Sequence, residues 1–167
     1  LQEFGFDLPK TMHPEFGRIV NQATDKLGRE ASTKEIMQIF KDSYLELNEP
    51  LEFIRLRSLT DEMGDHTLTC TVKVAWDGKV NEIRGRGNGP IDAFVQAMRE
   101  QGWGGFKIAD FKEQAVGSGA GTEAAAYIQI QSEDGNRYWG VGVDTDISTA
   151  GLKGVVSAYN RYRRGAK

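Results

Sequence analysis

The chain has 167 residues, of which 39% are hydrophobic and 27% charged, with a formal net charge of -3. This suffices for one domain with a hydrophobic core, and the negative charge argues against a nucleic-acid-binding surface. The single cysteine, Cys70, excludes an internal disulfide and a thiolate-rich zinc site. Because the sequence shows no membrane-spanning stretch and no secretory signal, we expect a cytoplasmic protein without a membrane partner.

Residues 1–50 are predicted to form a small helical subdomain. Pro14 suits a first helical turn. Apolar residues then recur at the spacing of one helix face: Phe16, Ile19, Val20 and Ala23. A capping-box pattern from Ser32 to Glu35 begins a second helix, which continues to Tyr44. Pro50 stops it.

The periodicity changes after this subdomain. Alternating apolar residues predict a strand with one buried face: Leu68, Cys70, Val72, Val74 and Trp76. Asp77-Gly78 is a two-residue hairpin signal, and Lys79–Arg84 is the expected return strand. The chain then passes through a glycine-rich turn, and Pro90 opens a helix.

The same pattern of strands, turn, glycines and helix repeats 57 residues later. Asp134-Gly135 takes the place of the first hairpin turn, Gly142 that of Gly85, and a last helix begins near Ser148. A further strand is predicted ahead of each hairpin, at Glu52–Ser58 and Phe106–Val116. The repeat is weaker in the middle strands.

The duplication predicts an α+β fold of two β-β-β-α units related by pseudo-twofold symmetry, preceded by the small helical subdomain. The units span about residues 51–104 and 105–167. At the same offset of 57 residues, the apolar Val72 aligns with the polar Gln129. The alternation of inward-facing and outward-facing side chains therefore does not match between the two middle strands.

The segment GRGNGPIDAF, residues 85–94, places glycines at alternate positions before the predicted helix. It lacks the spacing of a dinucleotide-binding loop or a P-loop, and it follows a hairpin instead of a parallel strand. A tight turn before a helix explains such glycines without a ligand. The alternative is an anion site, because small residues leave backbone N–H groups uncovered at the positive end of a helix.

A second small-residue loop, Gly117–Gly121, lies between the two copies. Two bare backbone loops in one small domain favour the approach of a ligand. The apolar residues Ile91, Ile108 and Phe111 suit a small ligand with an aliphatic side chain.

We expect no metal site and no cofactor in this chain. His13 and His66 lie far apart without a partner at metal-ligand spacing. The acidic pair Asp144 and Asp146 is predicted to cap the last helix, whose N-terminus favours negative charge. No Ser-His-Asp or Cys-His arrangement can be assembled, so no self-sufficient enzyme is expected.

Long motifs resemble those of one known family: GRGNGPIDAFVQAM, GSGAGTEAAAYIQI and GVGVDTDISTAGLKGVVSAYNR. They resemble the C-terminal regulatory domain of 2-isopropylmalate synthase, the leucine-binding LeuA dimer domain. The stretch from DLPKTMHPEF to KDSYL resembles the linker subdomains that join this domain to a catalytic barrel. The resemblance implies a linker at 1–50 and a regulatory domain at 51–167, which senses leucine as feedback inhibitor and pairs into a homodimer.

The enzyme of this family is an acyltransferase that condenses acetyl-CoA with 2-oxoisovalerate, the first committed step to leucine. Its chemistry takes place in a metal-dependent (β/α)8 barrel. A chain of 167 residues without repeated β-α units cannot contain that barrel. The resemblance therefore implies a fragment that is inactive alone, with the divalent metal in the catalytic barrel of the same full-length chain.

Carried over by motif, the resemblance implies nine leucine-binding positions: Gly87, Gly89, Ile91, Asp92, Ile108, Phe111, Ala115, Thr122 and Ile147. Backbone N–H groups at the helix start would bind the leucine carboxylate, and the apolar side chains would bind the isobutyl group. Asp92 could meet the leucine ammonium, or it could only favour the helix N-terminus.

Two positions outside this set bear on coupling to catalysis. Phe4 stands where the linker of the family can carry a histidine that reaches a partner's active site, which argues against a catalytic residue in this segment. Tyr44 stands where the family has a tyrosine linked to the catalytic and regulatory conformations, so it could have a supporting role or be a plain core residue.

Three other functions remain open at this point. The regulatory domain of a related citramalate synthase would share the architecture and sense isoleucine, and one methyl position changes pocket affinity by only ~1 kcal/mol. A non-sensing dimerisation module would keep the fold with a degenerate pocket. Nucleic-acid binding would require strong salt dependence and is disfavoured by the acidic charge balance.

Overall fold

The computed structural model describes residues 1–61, 64, 66–117 and 121–165. Its helices and strands, in chain order, are α1 (His13–Leu27), α2 (Thr33–Phe40), β1 (Leu51–Thr60), β2 (Leu68–Trp76), β3 (Lys79–Gly87), α3 (Pro90–Glu100), β4 (Phe106–Val116), β5 (Glu123–Ser132), β6 (Arg137–Asp144) and α4 (Ile147–Arg163). Ser118, Gly119 and Ala120 of the predicted small-residue loop lie outside the described residues.

The strands form two antiparallel sheets, ordered β1-β2-β3 and β4-β5-β6, and each sheet is followed by one helix. Two α-helices precede the first sheet, and short 3-10 helices at Gln2–Phe4 and Lys10–Met12 precede these. The predicted α+β fold of two β-β-β-α units behind a helical segment is thus confirmed. One boundary differs, because Gly85 and Gly87 are the last residues of β3 and not part of a loop.

The helical segment forms as its capping pattern predicts. The Ser32 side chain accepts a hydrogen bond from the Glu35 backbone N–H at 3.2 Å, and the Glu35 carboxylate accepts one from the Ser32 N–H at 3.0 Å. Behind α2 the chain continues as a π-helical turn, Lys41–Leu45. This turn brings Tyr44 into an aromatic cluster with Phe16 and Phe40.

In both units, a glycine allows a strand to lie directly against its helix. A Cβ atom added at Gly85 would lie 2.8 Å from Ala97 Cα on α3, and one added at Gly142 would lie 2.5 Å from Gly154 N on α4. The backbone carbonyl oxygens of Ala93 and Ala150 are the atoms that lie nearest to these two added Cβ atoms. These contacts recur at the same 57-residue offset as the sequence motifs, so the glycine pattern belongs first to helix–sheet packing.

The poor match of the middle strands has a simple cause in the hairpin turns. Ala75 pairs with Val80 around residues 76–79, whereas Gln131 pairs with Arg137 around residues 132–136. The second turn is therefore one residue longer. This insertion shifts β5 against β2 by one position, so that the inward-facing residues still correspond: Cys70 with Ala126, Val72 with Ile128, and Val74 with Ile130.

The two units share one core, and within the described residues the second sheet also faces a second core on its other side. Ile128 and Ile130 of β5 face the common core with α3 and α4. Tyr127 and Ala125 of the same strand, with Trp139 of β6, face a second core that contains the aromatic residues of the helical segment. The helical segment thus packs on the outer face of the second sheet.

Replacement of Gly142 by alanine should lower the free energy of unfolding by roughly 2–4 kcal/mol, because the new methyl group meets α4 backbone atoms that cannot move aside independently. Chemical denaturation measures the change. Gly17→Ala on α1 is the control: its Cβ meets nothing within 4 Å, so helix propensity should raise stability by about 0.5–1 kcal/mol. Equal effects at both positions would contradict the packing role of Gly142.

Candidate functional site

A cleft of about 620 Å³ opens where the two units meet. The first turns of α3 and α4 form two of its walls, and the inner face of β4 forms the third. The helices approach closely here, because a Cβ atom added at Gly151 on α4 would lie 3.3 Å from Ile91 on α3. The cleft therefore depends on the duplication, since it needs a helix from each unit.

Six of the nine predicted ligand residues line this cleft: Gly89, Ile91, Asp92, Ile108, Phe111 and Ile147. A β-bulge at Ala109 turns the strand between Ile108 and Asp110, so that Phe111 faces the same side as Ile108. Their role in binding a ligand stays a prediction, but the fold does bring them together.

The other three predicted residues, Gly87, Ala115 and Thr122, are not among those that line the cleft. A Cβ atom added at Gly87 would lie 2.6 Å from the Ala93 backbone N, so this glycine serves the entry into α3. Ala115 is exposed near the end of β4, and Thr122 is half-buried just before β5.

The lining includes six residues that sequence reasoning missed: Pro90, Val95, Arg99, Glu113, Ser148 and Gly151. Helical spacing from Ile91 would have indicated Val95, and the bulge hides Glu113, because simple alternation from Ile108 puts it on the opposite face.

The N-terminus of α3 is the bare helix end in this cleft. Its N-cap residue is Gly89, which has no side chain to accept a hydrogen bond from the first helical turn. The N-terminus of α4 is capped instead, because the Asp146 carboxylate accepts hydrogen bonds from the Thr149 N–H at 3.0 Å and the Thr149 hydroxyl at 2.7 Å. An anion is therefore better accommodated at α3 than at α4.

Asp92 uses its carboxylate locally. Its Oδ2 accepts a hydrogen bond from the Asn88 backbone N–H at 2.8 Å, which stabilises the turn that leads into α3. This geometry favours the second of the two roles considered above, support of the helix N-terminus.

Glu113, unlike Asp92, has a carboxylate oxygen without a hydrogen-bonding partner among the described residues. This atom, Oε2, is buried. Burial raises the pKa of this carboxyl group above its ordinary value. Arg99 also lines the cleft, and its guanidinium donates a hydrogen bond to the Phe106 carbonyl oxygen at 3.1 Å.

A larger open groove, of about 850 Å³, lies at the other end of α3. Its lining consists mainly of turn glycines and charged residues, and it includes none of the nine predicted positions. We regard the smaller cleft as the candidate site, because it combines apolar walls with a bare helix N-terminus, which the larger groove does not.

Tyr44 lies away from the cleft, at the joint between the helical segment and the second unit. Its hydroxyl donates a hydrogen bond to Glu15 Oε1 at 2.8 Å, and its backbone carbonyl accepts one from Ser157 on α4 at 2.5 Å. Glu15 pairs with Arg161 at 2.5 Å, and the two side chains are only 12% and 11% exposed. Burial is the main cause that raises the Tyr44 pKa.

Other titratable residues are placed by the fold. No group of three or more potential metal ligands comes together in the described part of the chain. His13 bonds through Nε2 to the Leu8 carbonyl oxygen at 3.2 Å. Cys70 is buried in the common core, where desolvation raises its pKa to about 11. In the described ranges no helix is both long and apolar enough to cross a membrane.

Comparison with known proteins gives a consistent family. A family model described as the LeuA allosteric (dimerisation) domain matches residues 30–163. A 2-isopropylmalate synthase of Clostridium acetobutylicum is 40% identical over 162 residues, which are 95% of this chain and 29% of that protein. The enzyme of Thermobifida fusca is 39% identical over 160 residues, 96% of this chain and 27% of that protein.

A third relative, the 2-isopropylmalate synthase of Mycobacterium ulcerans, is 39% identical over 167 residues and covers 97% of this chain and 29% of its own length. The chain therefore spans less than a third of the length of these relatives.

Loss of the Glu15 charge should weaken the packing of the helical segment on the second unit. We expect Glu15→Gln to reduce the free energy of unfolding by about 2–3 kcal/mol, because the largely buried Arg161 guanidinium loses its counter-ion. Denaturant titration measures it. Arg29→Met is the control, since the Arg29–Glu35 pair is exposed and its loss should cost less than about 1 kcal/mol. If both variants changed stability equally, the joint would not depend on this ion pair.

Proposed function

Because the chain belongs to the family of LeuA allosteric (dimerisation) domains, we propose that it senses leucine as the regulatory domain of a 2-isopropylmalate synthase. The observation that carries the proposal is the cleft between the units, where a bare helix N-terminus and apolar walls meet. A regulatory domain for an amino-acid pathway needs a site with this combination of polarity.

The chemistry of leucine divides between two parts of this cleft. The first-turn N–H groups of α3 would bind the carboxylate, since Gly89 leaves that end uncapped. Ile91, Ile108 and Phe111 would enclose the isobutyl group. Burial of one leucine side chain contributes roughly 1.5–3 kcal/mol, and millimolar binding requires about 4 kcal/mol, so the polar contacts to the carboxylate must supply the rest.

A second copy of the chain would complete the site. Phe111 is 47% exposed and Ile147 is 55% exposed, although both are large and apolar and both line the cleft. A dimer partner that covers them would shield the ligand from water. We therefore propose a homodimer, in agreement with the dimerisation function that the family description contains.

β4 connects the cleft to the N-terminal segment. Its Phe111 faces the cleft, whereas the neighbouring Gln114 donates a hydrogen bond to the Gly5 carbonyl oxygen at 2.9 Å and accepts one from the Asp7 N–H at 2.8 Å. A ligand that changes the position of β4 would also change these hydrogen bonds between Gln114 and the N-terminal segment. Coupling requires that leucine bind one arrangement better than the other.

The rest of the enzyme is assigned by the same proposal. The parent protein would be a cytoplasmic acyltransferase, with the divalent metal and the catalytic residues in a barrel that precedes this domain. We expect no synthase activity and no cofactor in the 167-residue chain itself. Neither nucleic acid nor a membrane is expected as a partner.

Leucine should stabilise the protein against heat. At a concentration 100 times the Kd, we expect the melting temperature to rise by roughly 5–10 °C, and isoleucine and valine to have smaller effects. Calorimetry and thermal-shift measurements with all three amino acids test this. Absence of any effect at millimolar concentrations would refute a ligand site, and tighter binding of isoleucine would favour the citramalate synthase domain.

The Gly89→Val variant should distinguish an effect on ligand binding from an effect on the fold. Gly89 has extended backbone dihedrals, and an added Cβ meets nothing within 4 Å, so the fold should accept valine while its side chain occupies cleft volume beside α3. We expect an intact dimer and a slightly lower melting temperature without ligand, because valine is a poorer N-cap than glycine, but at least roughly tenfold weaker leucine binding, measured by calorimetry. Gly17→Val on α1 is the control and should bind leucine normally. Full affinity in Gly89→Val would place the ligand elsewhere.

A further inference from the structure

The Glu113 carboxylate is the one feature of the cleft that neither the fold nor the apolar wall explains. It lines the cleft from β4, and its buried Oε2 has no partner among the described residues. A buried polar group without a partner costs about 1–3 kcal/mol, more when it is charged, so folding alone gives no reason for it.

The first unit shows what the fold requires at this position. The matching strand pairs give three equivalent positions: Phe53 and Ile108, Leu56 and Phe111, Leu59 and Glu113. All three side chains of β1 are apolar and pack against the common core. The inner face of β4 repeats the first two as apolar residues and replaces the third by an acid. Glu113 therefore breaks the apolar pattern that the two units otherwise share, and it does so in the cleft.

The other charged residues of the cleft have partners of their own. The Asp92 carboxylate accepts a hydrogen bond from the Asn88 N–H, and the Arg99 guanidinium donates one to the Phe106 carbonyl oxygen. Glu113 is thus the charged lining residue whose buried oxygen has no partner among the described residues, and this oxygen can accept a hydrogen bond from a cation.

We propose that Glu113 binds the ammonium group of the effector, so that the cleft accepts zwitterionic α-amino acids and rejects the 2-oxo and 2-hydroxy acids with the same side chain. This inference rests on the proposed function, in which the α3 N-terminus holds the carboxylate. An ammonium supplies the three donors that the unpartnered carboxylate lacks. A 2-oxo acid brings only acceptors to the same place and leaves the carboxylate unpaired.

The test is calorimetry of the wild-type protein with L-leucine, 4-methyl-2-oxopentanoate and 2-hydroxy-4-methylpentanoate. We expect the 2-oxo acid to bind at least roughly 100-fold more weakly than leucine, and the 2-hydroxy acid roughly 10-fold more weakly, because its hydroxyl still donates one neutral hydrogen bond. Glu113→Gln should weaken leucine binding roughly 10- to 100-fold and reduce the discrimination against the 2-oxo acid. Glu123→Gln, an exposed acid at the start of β5, is the matched control and should behave as wild type.

A second variant, Glu113→Leu, makes the two units alike. Its melting temperature should equal or exceed that of the wild type, because a half-buried carboxylate with one unpartnered oxygen is replaced by the apolar residue of the first unit, while leucine binding should be lost. If the wild type binds leucine and both Glu113 variants bind it equally well, the ammonium role is wrong although leucine sensing stands. If the wild type binds no branched-chain amino acid, both proposals fall together.

Discussion

The close approach of a strand to the helix that follows it is the constraint on which this structure depends. Gly85 and Gly142 have no side chain where α3 and α4 cross the sheets, and any larger residue would separate helix from strand. The contact between the two helices, at Ile91 and Gly151, then sets the width of the cleft. A small displacement of either helix at its glycine would change the distance between the helix starts, so packing and ligand site share the same geometric requirement.

The features that are local in sequence were predictable. The capping box at Ser32, the turn at Asp77-Gly78 and the helix start at Pro90 each depend on a few adjacent residues, and each lies where the pattern placed it. Non-local features were harder to predict. The bulge at Ala109 reverses the side-chain phase of β4, and the longer second hairpin shifts β5, so simple alternation misassigns Glu113 and misaligns the repeats. The apolar character of Ile91, Ile108 and Phe111 suggested three of the six cleft positions, and the family resemblance supplied all six.

The two units differ on both faces of their sheets, and as a result they have different roles in the domain. The outer face of the second sheet is covered by the helical segment, through Tyr127 and Trp139. The inner face of the same sheet carries Glu113 where the first has Leu59. The first unit therefore supplies a helix and an apolar wall to the shared core, whereas the second contacts both the proposed ligand site and the helical segment.

This arrangement makes β4 a suitable element for regulation. Successive residues of a strand point to opposite faces, so Glu113 reaches the cleft while Gln114 holds Gly5 and Asp7 of the N-terminal segment. The buried ion pair of Glu15 and Arg161 fixes the same helical segment at a second point, on α4, whose first turn also lines the cleft. Both attachments thus end on elements that a ligand would contact. An effector that draws β4 and the starts of α3 and α4 together would change both points of attachment at once, without requiring a separate pathway through the core.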